Sequence, residues 1–265
     1  MVCEASRRGG GEAVSVFGGE GGQGASNPPH AVFTVDIVKF EKVEMWLVCG
    51  STLGSDAGPL VDGRAIRGFF GNLYRNRPEF HGHGEKGLIY RHPLIQYKVL
   101  GSTPVITGLG PGAYLLKAVP EIDEIEIHHR KYRVIRNMVA SEIVEIGCSE
   151  SLIEYRFVTP WIGLNEKNHE RYLRVRRYAS PRKELLERIL VGNLLSMAKG
   201  LGVMVGGRLT VEAGLEETGT AEVKDGVRLA AFSGGFRANF HIPNLWGIGK
   251  SSSRGYGTVR RANGG

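Results

Sequence analysis

Hydrophobic positions between residues 31 and 129 follow the spacing of strands and helices in turn. Residues 31–48 are rich in β-branched and aromatic side chains, which favour strands. Residues 62–76 place Ile66, Phe69, Phe70 and Leu73 three and four apart, which predicts a helix. The same reading predicts strands at 93–100 and 105–108 joined by a turn at 101–104, a helix at 113–119 ended by Pro120, and a strand at 124–129.

This order, β-α-β-β-α-β, is that of a ferredoxin-like unit with four antiparallel strands and two helices on one face. A similar order follows, with strands at 152–158, 203–213, 227–242 and 257–261 and a helix over 180–199 that ends at Gly200. We therefore predict an α+β fold of two tandem ferredoxin-like (βαββαβ) domains, residues 30–130 and 131–265, the second with a C-terminal Gly-rich loop.

The first 29 residues form a different kind of segment. They hold eight glycines and almost no hydrophobic periodicity, which predicts disorder. The short apolar stretch at residues 14–17 is no signal-peptide core. We interpret residues 1–29 as a leader upstream of an uncertain start site.

Composition narrows the partners and the compartment. The formal net charge of +7 and a pI near 9.4 favour a polyanionic partner. Cys3, Cys49 and Cys148 form no C-x-x-C pair, which argues for a reducing cytosol and against a zinc ribbon or a disulfide framework. No apolar run reaches the roughly 18 residues of a membrane span. We expect a cytoplasmic protein without a membrane partner.

The Gly-rich stretch LWGIGKSSSRGYGTV (245–259) resembles a triphosphate-binding loop only in part. G-x-x-x-x-G-K-[ST] requires a glycine at position 244, where this chain has Asn244. We therefore predict that the loop binds a nucleic-acid backbone, since glycines permit close approach and cations add charge. An alternative is a loop that only connects strands. The predicted contact residues are Lys250, Ser252, Arg254 and Tyr256, the last as a stacking face.

A basic run with interleaved tyrosines lies at residues 167–183. Cationic side chains for phosphates and rings for bases are typical of RNA-binding proteins. The alternative is an ordinary solvated charged face. The candidate contacts are Arg171, Arg174, Arg176 and Arg177, with Tyr172 and Tyr178 beside them.

Two histidines flanked by glycines, His81 and His83, are predicted to lie exposed on a loop. Such a pair is typical of proton transfer near neutral pH or of a metal site. His92 could be a third ligand, but no cysteine or carboxylate lies at a convincing spacing, so metal is the lesser alternative. We expect no metal and no cofactor.

Four runs together resemble a known family: IRGFFGNLY (66–74), FHGHGEKGLIYRHPLIQYKV (80–99), ITGLGPGAYLL (106–116) and GIGKSSSRGYGTV (247–259). They are similar to the CRISPR-associated (Cas) endoribonucleases of family six, in the branch of type I-B systems and the RAMP superfamily. The resemblance implies tandem ferredoxin-like domains that cut the repeats of precursor CRISPR RNA without a metal. By that chemistry the 2′-hydroxyl attacks the scissile phosphate and leaves a 2′,3′-cyclic phosphate and a 5′-hydroxyl.

The resemblance also implies roles for particular residues. His83 is the first candidate for acid/base work and His81 its partner, while the assignment of acid and base stays open. Tyr90 resembles the family's active-site tyrosine. Lys86 or Lys98 would supply positive charge, and Lys98 is also a candidate RNA contact.

Two other functions remain open from the sequence. A catalytically silent RAMP-type RNA-binding subunit of a CRISPR effector complex would keep the Gly-rich loop but need no histidines. A metal-dependent hydrolase would lose its activity to a chelator. The expected partners are CRISPR repeat RNA, precursor and processed, and subunits of an effector complex, for a chain that is a monomer or homodimer.

Overall fold

A computed structural model describes residues 37–50, 61–81, 83–84, 87–88, 92–224 and 226–262 of the 265-residue chain, with only the backbone at 83–84, 87–88 and 223–224. The predictions for residues 1–29, and for the first six residues of the strand expected at 31–48, therefore lie outside the described residues. So do Lys86 and Tyr90.

Strands and helices alternate along the described chain in the following order. The elements are β1 (Val38–Cys49), α1 (Gly63–Leu73), α2 (Pro78–His81), β2 (His83–Gly84), β3 (Gly87–Leu88), β4 (Ile95–Leu100), β5 (Thr103–Leu109), α3 (Pro111–Lys117), β6 (Glu124–Ile127), β7 (Arg130–Phe157), α4 (Glu166–Val175), α5 (Ala179–Gly200), β8 (Val211–Lys224), β9 (Val227–His241), a 3₁₀ turn (Ser252–Arg254) and β10 (Val259–Arg261).

The first half of the sheet has the ferredoxin-like strand order β4-β5-β1-β7, and the paired strands are antiparallel. α1 packs on β4 and α3 on β5 and β1. The strand predicted at 124–129 is present as β6, but the prediction that it is the fourth strand of the unit is wrong. β6 pairs only with the first residues of β7 in a tight hairpin, while residues 134–146 of β7 pair with β1 and take the fourth position.

The second half repeats the same order as β10-β7-β9-β8. β7 serves both halves because it changes its partner from β1 to β9 between Ile146 and Gly147. α5 packs on β8, and the Gly-rich loop with its 3₁₀ turn occupies the place of the second helix, between β9 and β10. The predicted α+β, tandem ferredoxin-like fold is confirmed, whereas the domain boundary at 130/131 stays a prediction.

Two further elements differ from the sequence-based expectation. The strand predicted at 203–213 begins only at Val211, where pairing with β9 starts. The basic run at 167–183 contains a helix, α4, that the pattern did not predict.

Each half has its own hydrophobic core. In the first half Val43, Met45 and Tyr97 of the sheet pack with helix residues Ile66 and Phe70. In the second half, α5 buries the predicted face of the helix against the sheet and Trp161. That face consists of Leu186, Ile189, Leu190 and Leu194.

No helix in the described ranges has both the length and the apolar character needed to cross a membrane.

Candidate functional site

α1 begins at a capped N-terminus that lies directly on the Gly-rich loop. The Asp62 side chain accepts a hydrogen bond from the backbone N–H of Ala65 at 2.9 Å and so caps the helix. A Cβ on Gly63 would lie 2.4 Å from the carbonyl oxygens of Tyr97 and Arg254. Only glycine permits this close approach, which joins α1, β4 and the loop.

α2 is held against α1 and β4, and it carries His81 at its end. The Tyr97 hydroxyl donates to the Phe80 carbonyl at 2.9 Å, and the Phe80 ring stacks on Tyr74 at 4.4 Å between ring centroids. The Arg67 guanidinium donates to the His81 carbonyl. These contacts fix the backbone of His81 beside α1.

His81 is partly exposed at the end of α2, where the sequence predicted an exposed loop, and the orientation of its ring is defined. Its Nε2 lies 3.0 Å from the Arg75 carbonyl oxygen. Because a carbonyl oxygen only accepts, Nε2 carries the hydrogen, and in the neutral imidazole Nδ1 is then the basic atom. His83 lies two residues further on, in the short hairpin of β2 and β3, where its backbone pairs with Leu88.

The Gly-rich loop is anchored by buried polar contacts from the first half. The Gln96 side chain accepts from Gly247 N–H at 2.6 Å and donates to the Gly247 carbonyl at 3.0 Å. The Trp246 indole donates to His92 Nε2 at 2.8 Å, so that nitrogen is an acceptor. Burial lowers the pKa of His92 to about 3. His92 is therefore a neutral anchor of the loop. Because its Nε2 already accepts from Trp246, that nitrogen does not fit the alternative of a third metal ligand beside His81 and His83.

Lys98, predicted to contact RNA, instead lies in the protein interior, and its side chain has no exposed surface. Its ammonium donates to the Leu245 carbonyl and to the Thr107 hydroxyl, the latter at 2.8 Å. Burial lowers its pKa to about 7, against the smaller raising effect of Glu44. Lys42 is equally buried and donates to the carbonyl of Asn244 at 2.9 Å. Two buried lysines thus hold the start of the loop.

The four loop residues predicted to contact RNA differ in their accessibility. Lys250 is exposed, and Arg254 is partly exposed. Ser252 is 3% exposed, so its side chain belongs to the packed interior of the loop and the predicted RNA contact is wrong for that side chain. Tyr256 is partly buried against Ile162 and its neighbours, which leaves only part of its ring for stacking.

The sequence indicated that the loop glycines permit close approach of a nucleic-acid backbone. In the structure they also allow the loop to pack tightly on itself. Gly257 has a φ of +65°, and a Cβ there would lie 2.0 Å from the Ile248 carbonyl oxygen. The hydrogen bond from Ile248 N–H to the Gly257 carbonyl, 3.0 Å long, closes this turn. The loop is therefore a tightly folded element and not a loose connector.

Three arginines gather where α1 meets the loop. Burial lowers the pKa of Arg67, and the neighbouring charge of Arg254 lowers it further. Burial likewise lowers the pKa of Arg254, with a further contribution from Arg64. Neighbouring cationic side chains of this kind favour an anionic ligand. The sequence interpretation missed Arg64 and Arg67, although DGRAIRG spaces them by three on a predicted helix beside the histidines.

The arginines of the basic run are accessible. Arg171, Arg174, Arg176 and Arg177 are all exposed, and none of them makes an ion pair with another described residue. Tyr178 is 64% exposed and can stack on a base. Tyr172 cannot, because it is buried and its hydroxyl donates to Glu217 at 2.7 Å.

Among the described residues, no three histidine, cysteine, aspartate or glutamate side chains come together as the ligands of a metal ion would.

Two family models match the chain in succession. One, described as the Cas6b N-terminal domain, matches residues 53–145, and the other, described as the Cas6b C-terminal domain, matches residues 147–262. The division between them falls at the point where β7 changes its partner strand.

Solved structures and a curated protein are similar over long stretches. A crystal structure of Cas6b is 30% identical with a TM-score of 0.74, and it covers 85% of this chain and 100% of that chain. A crystal structure of the CRISPR RNA processing endoribonuclease Cas6b is 28% identical with a TM-score of 0.62, at the same two coverages of 85% and 100%. Protein MJ0978 of Methanocaldococcus jannaschii, described as uncharacterized, is 43% identical over 141 residues, 53% of this chain and 93% of that protein.

Proposed function

This chain belongs to the Cas6b family, and we propose from that premise that it is an endoribonuclease that cleaves the repeats of precursor CRISPR RNA. We further propose that the cut needs no metal. The 2′-hydroxyl upstream of the scissile phosphate attacks phosphorus, the bond to the 5′-oxygen breaks, and the products carry a 2′,3′-cyclic phosphate and a 5′-hydroxyl.

The observation that carries this proposal is the placement of His81 against Arg67, beside Arg254 of the Gly-rich loop. A histidine that can exchange a proton therefore lies next to a group of cations. RNA cleavage by its own 2′-hydroxyl requires both, because a proton must be taken from the nucleophile and negative charge grows on the phosphate.

His83 and His81 are the proposed acid/base pair. One removes the proton of the 2′-hydroxyl, and the other protonates the departing 5′-oxygen, so that no charged leaving group forms. The hydrogen bond from His81 Nε2 to the Arg75 carbonyl fixes the orientation of this imidazole. Tyr90 and Lys86 remain proposed contributors to orientation and charge.

Arg67 and Arg254 replace Lys98 as the proposed source of positive charge. The ammonium of Lys98 is enclosed by Thr107 and Leu245, whereas both guanidiniums lie at the border of α1 and the loop. The exposed Lys250 and the exposed arginines of α4 and its C-terminal end would hold the RNA backbone further away from the cut.

Cleavage of labelled cognate repeat RNA in excess EDTA tests the proposal. Wild-type protein should cut the RNA and leave a cyclic phosphate, and RNA with deoxyribose just upstream of the cut should bind without being cut. Activity that EDTA abolishes, or a product ending in a 3′-hydroxyl, would point to a metal-activated water. Tight binding without any cleavage would favour the silent RNA-binding subunit.

A further inference from the structure

A cleft of about 680 Å³ lies between the outer face of α1 and the turn that joins β6 to β7. Small-molecule and nucleotide sites commonly have volumes of about 300 to 1,000 Å³. The cleft residues that matter here are Arg64, Gly68, Phe69, Asn72, His128 and His129. His128 and His129 take no part in the proposed cleavage chemistry.

The two histidines adopt a backbone conformation that their sequence does not favour. His128 and His129 have φ of +52° and +62°, in a two-residue turn between Ile127 and Arg130. Asn-Gly is the pair that such a turn prefers, and a residue with a larger side chain is strained there. Both histidines are exposed, so burial in a core does not explain their presence.

Gly68 lines the cleft, and because it has no side chain the helix backbone is exposed to the cleft at this position. It lies in the middle of α1, where glycine is less favourable than any residue except proline. A Cβ at this position would meet no atom within 4 Å, so packing within the protein does not require the glycine. Its neighbour Phe69 is partly exposed on the wall of the cleft. The combination leaves room for a flat group to approach the helix next to an aromatic ring.

The charges around the cleft are compatible with an anionic ligand. Arg64 is exposed, and it lies close enough to Arg254 to depress that residue's pKa, after burial. The carboxylate of Asp62 is occupied by the helix cap. Glu126 lies opposite Lys131 in the hairpin, and the ammonium of Lys131 pairs with Glu124 at 2.9 Å while also acting, more weakly, on Glu126.

We infer that this cleft binds one nucleotide of single-stranded RNA, with the base beside Phe69 and the two imidazoles and the phosphate on Arg64. Aromatic and histidine rings stack on unpaired bases, and arginine binds the backbone. The inference rests on the proposed function, because the ligand is the same RNA. Through Arg64, Gly63 and Arg254 the cleft is continuous with the Gly-rich loop.

The cleft lies away from the cut. Arg67 donates to the His81 carbonyl, and a Cβ on Gly71 would lie 3.1 Å from the His81 Cβ, whereas Gly68 and Asn72 line the cleft from another side of the helix. The nucleotide in the cleft therefore contributes to affinity and to the register of the RNA and takes no part in bond breaking.

Filling the cleft tests this inference, with Gly68→Leu compared against Gly192→Leu. Gly192 is also an exposed helix glycine with open space around it, but it lies on α5. Filter binding uses repeat RNA with deoxyribose upstream of the cut. We expect Gly68→Leu to weaken binding about tenfold, within the usual effect of losing one stacked base. Gly192→Leu should bind like wild type, and both variants should melt at or above the wild-type Tm.

A second variant distinguishes an effect on RNA binding from an effect on folding, because it should raise the Tm and lower the RNA affinity. His128→Asn combined with His129→Gly installs the pair that the turn prefers and removes both imidazoles. We expect a higher Tm together with RNA binding that is weaker by about fivefold or more.

The possible failures are distinguishable. If wild-type protein binds the RNA and Lys250→Ala weakens it, while both cleft variants bind like wild type, this inference is overturned and the proposed function stands. Wild-type protein that neither binds nor cuts cognate repeat RNA would overturn the proposed function and this inference with it.

Discussion

Single residues carry the proposed chemistry, and His83 is the sharpest test of it. We expect His83→Ala to lower the single-turnover cleavage rate about 10²-fold or more, because losing an acid/base group usually costs that much. RNA affinity should change little, since one imidazole is a small part of the contact surface. The measurement is single-turnover cleavage of labelled repeat RNA, with affinity measured separately on the uncleavable deoxyribose analogue.

His169→Ala is the matched control for this prediction. His169 is a partly exposed histidine on α4 whose ring only accepts a long hydrogen bond, 3.4 Å, from Ala230 N–H. The His169→Ala variant should cleave the RNA at the wild-type rate. A wild-type rate in His83→Ala would move the acid/base role to His81 or to another group.

The buried side chain of Lys98 leads to a prediction about how the free energy of unfolding depends on pH. Its pKa falls from the ordinary 10.5 of lysine to about 7 in the folded protein. Between these values the unfolded chain holds a proton that the folded chain lacks, so the free energy of unfolding rises with pH. Compared with Lys98→Met, wild-type protein should gain up to about 1.4 kcal/mol for each pH unit from about pH 7 upward.

Urea unfolding of both proteins at pH 7, 8 and 9 measures this difference. Lys98→Met is expected to be less stable than wild type, because the Leu245 carbonyl and the Thr107 hydroxyl lose their donor. Only the change of the difference with pH tests the pKa. Equal pH dependence in the two proteins would mean that Lys98 stays charged in the core.

The Gly-rich loop behaves as one structural element. The groups that anchor it to the first half and the residues proposed to contact RNA lie on the same 15-residue segment, 245–259. If Lys250 and Arg254 contact phosphates, Lys250→Ala and Arg254→Ala should each weaken RNA binding. Each should also make the log–log salt dependence shallower by about 0.7, the value for one contact to a single strand. Filter binding of repeat RNA over a range of salt concentrations gives both quantities.

Arg237→Ala controls for the loss of any positive charge. Arg237 lies on β9, outside the loop segment, and pairs with Glu212 across the strands. Its removal should leave the salt slope unchanged. A loop that only connects β9 to β10 would give wild-type slopes in Lys250→Ala and Arg254→Ala as well.

Regular elements with a clear hydrophobic period could be predicted from the sequence. α5 has a leucine face at helical spacing, and β4 with β5 forms the predicted hairpin. β7 could not be predicted at its full length of 28 residues, because residues 135–145 are largely exposed on both faces. Without a buried face, alternation disappears from the sequence although the backbone still pairs with β1.

Only those features of the candidate site that depend on neighbouring residues in the sequence could be predicted. The exposure of His81 was predicted from the neighbouring glycine, whereas the short helix α2 that ends at His81 was not predicted. The roles of Lys98 and Gln96 depend on partners about 150 residues away, such as Leu245 and Gly247, and no local pattern records such contacts. Polar residues in an alternating strand were therefore interpreted as exposed when they point at the buried loop.

The two ferredoxin-like halves share structure across the whole molecule. β7 is one continuous strand of both, and residues 33–265 form one compact unit. The Gly-rich loop of the second half is bound by Gln96 and His92 of the first. Neither half therefore keeps its full set of buried hydrogen bonds when the other unfolds, and the loop should hold its shape only when both halves are folded.

This sharing predicts a single unfolding transition. In urea, far-UV circular dichroism should give the same midpoint as the fluorescence of Trp46, in the first half, and of Trp161, in the second.

Gln96→Ala leaves both backbone groups of Gly247 without their partner, at a cost of about 1–3 kcal/mol for each buried group. Because the loss lies between the halves, all three midpoints should fall together. Trp246 is the third tryptophan, so Trp161→Phe/Trp246→Phe and Trp46→Phe/Trp246→Phe backgrounds are needed to observe Trp46 and Trp161 separately. Midpoints that split in wild type would show halves that unfold independently, and a Gln96→Ala midpoint that moves for one tryptophan alone would place the loop within one half.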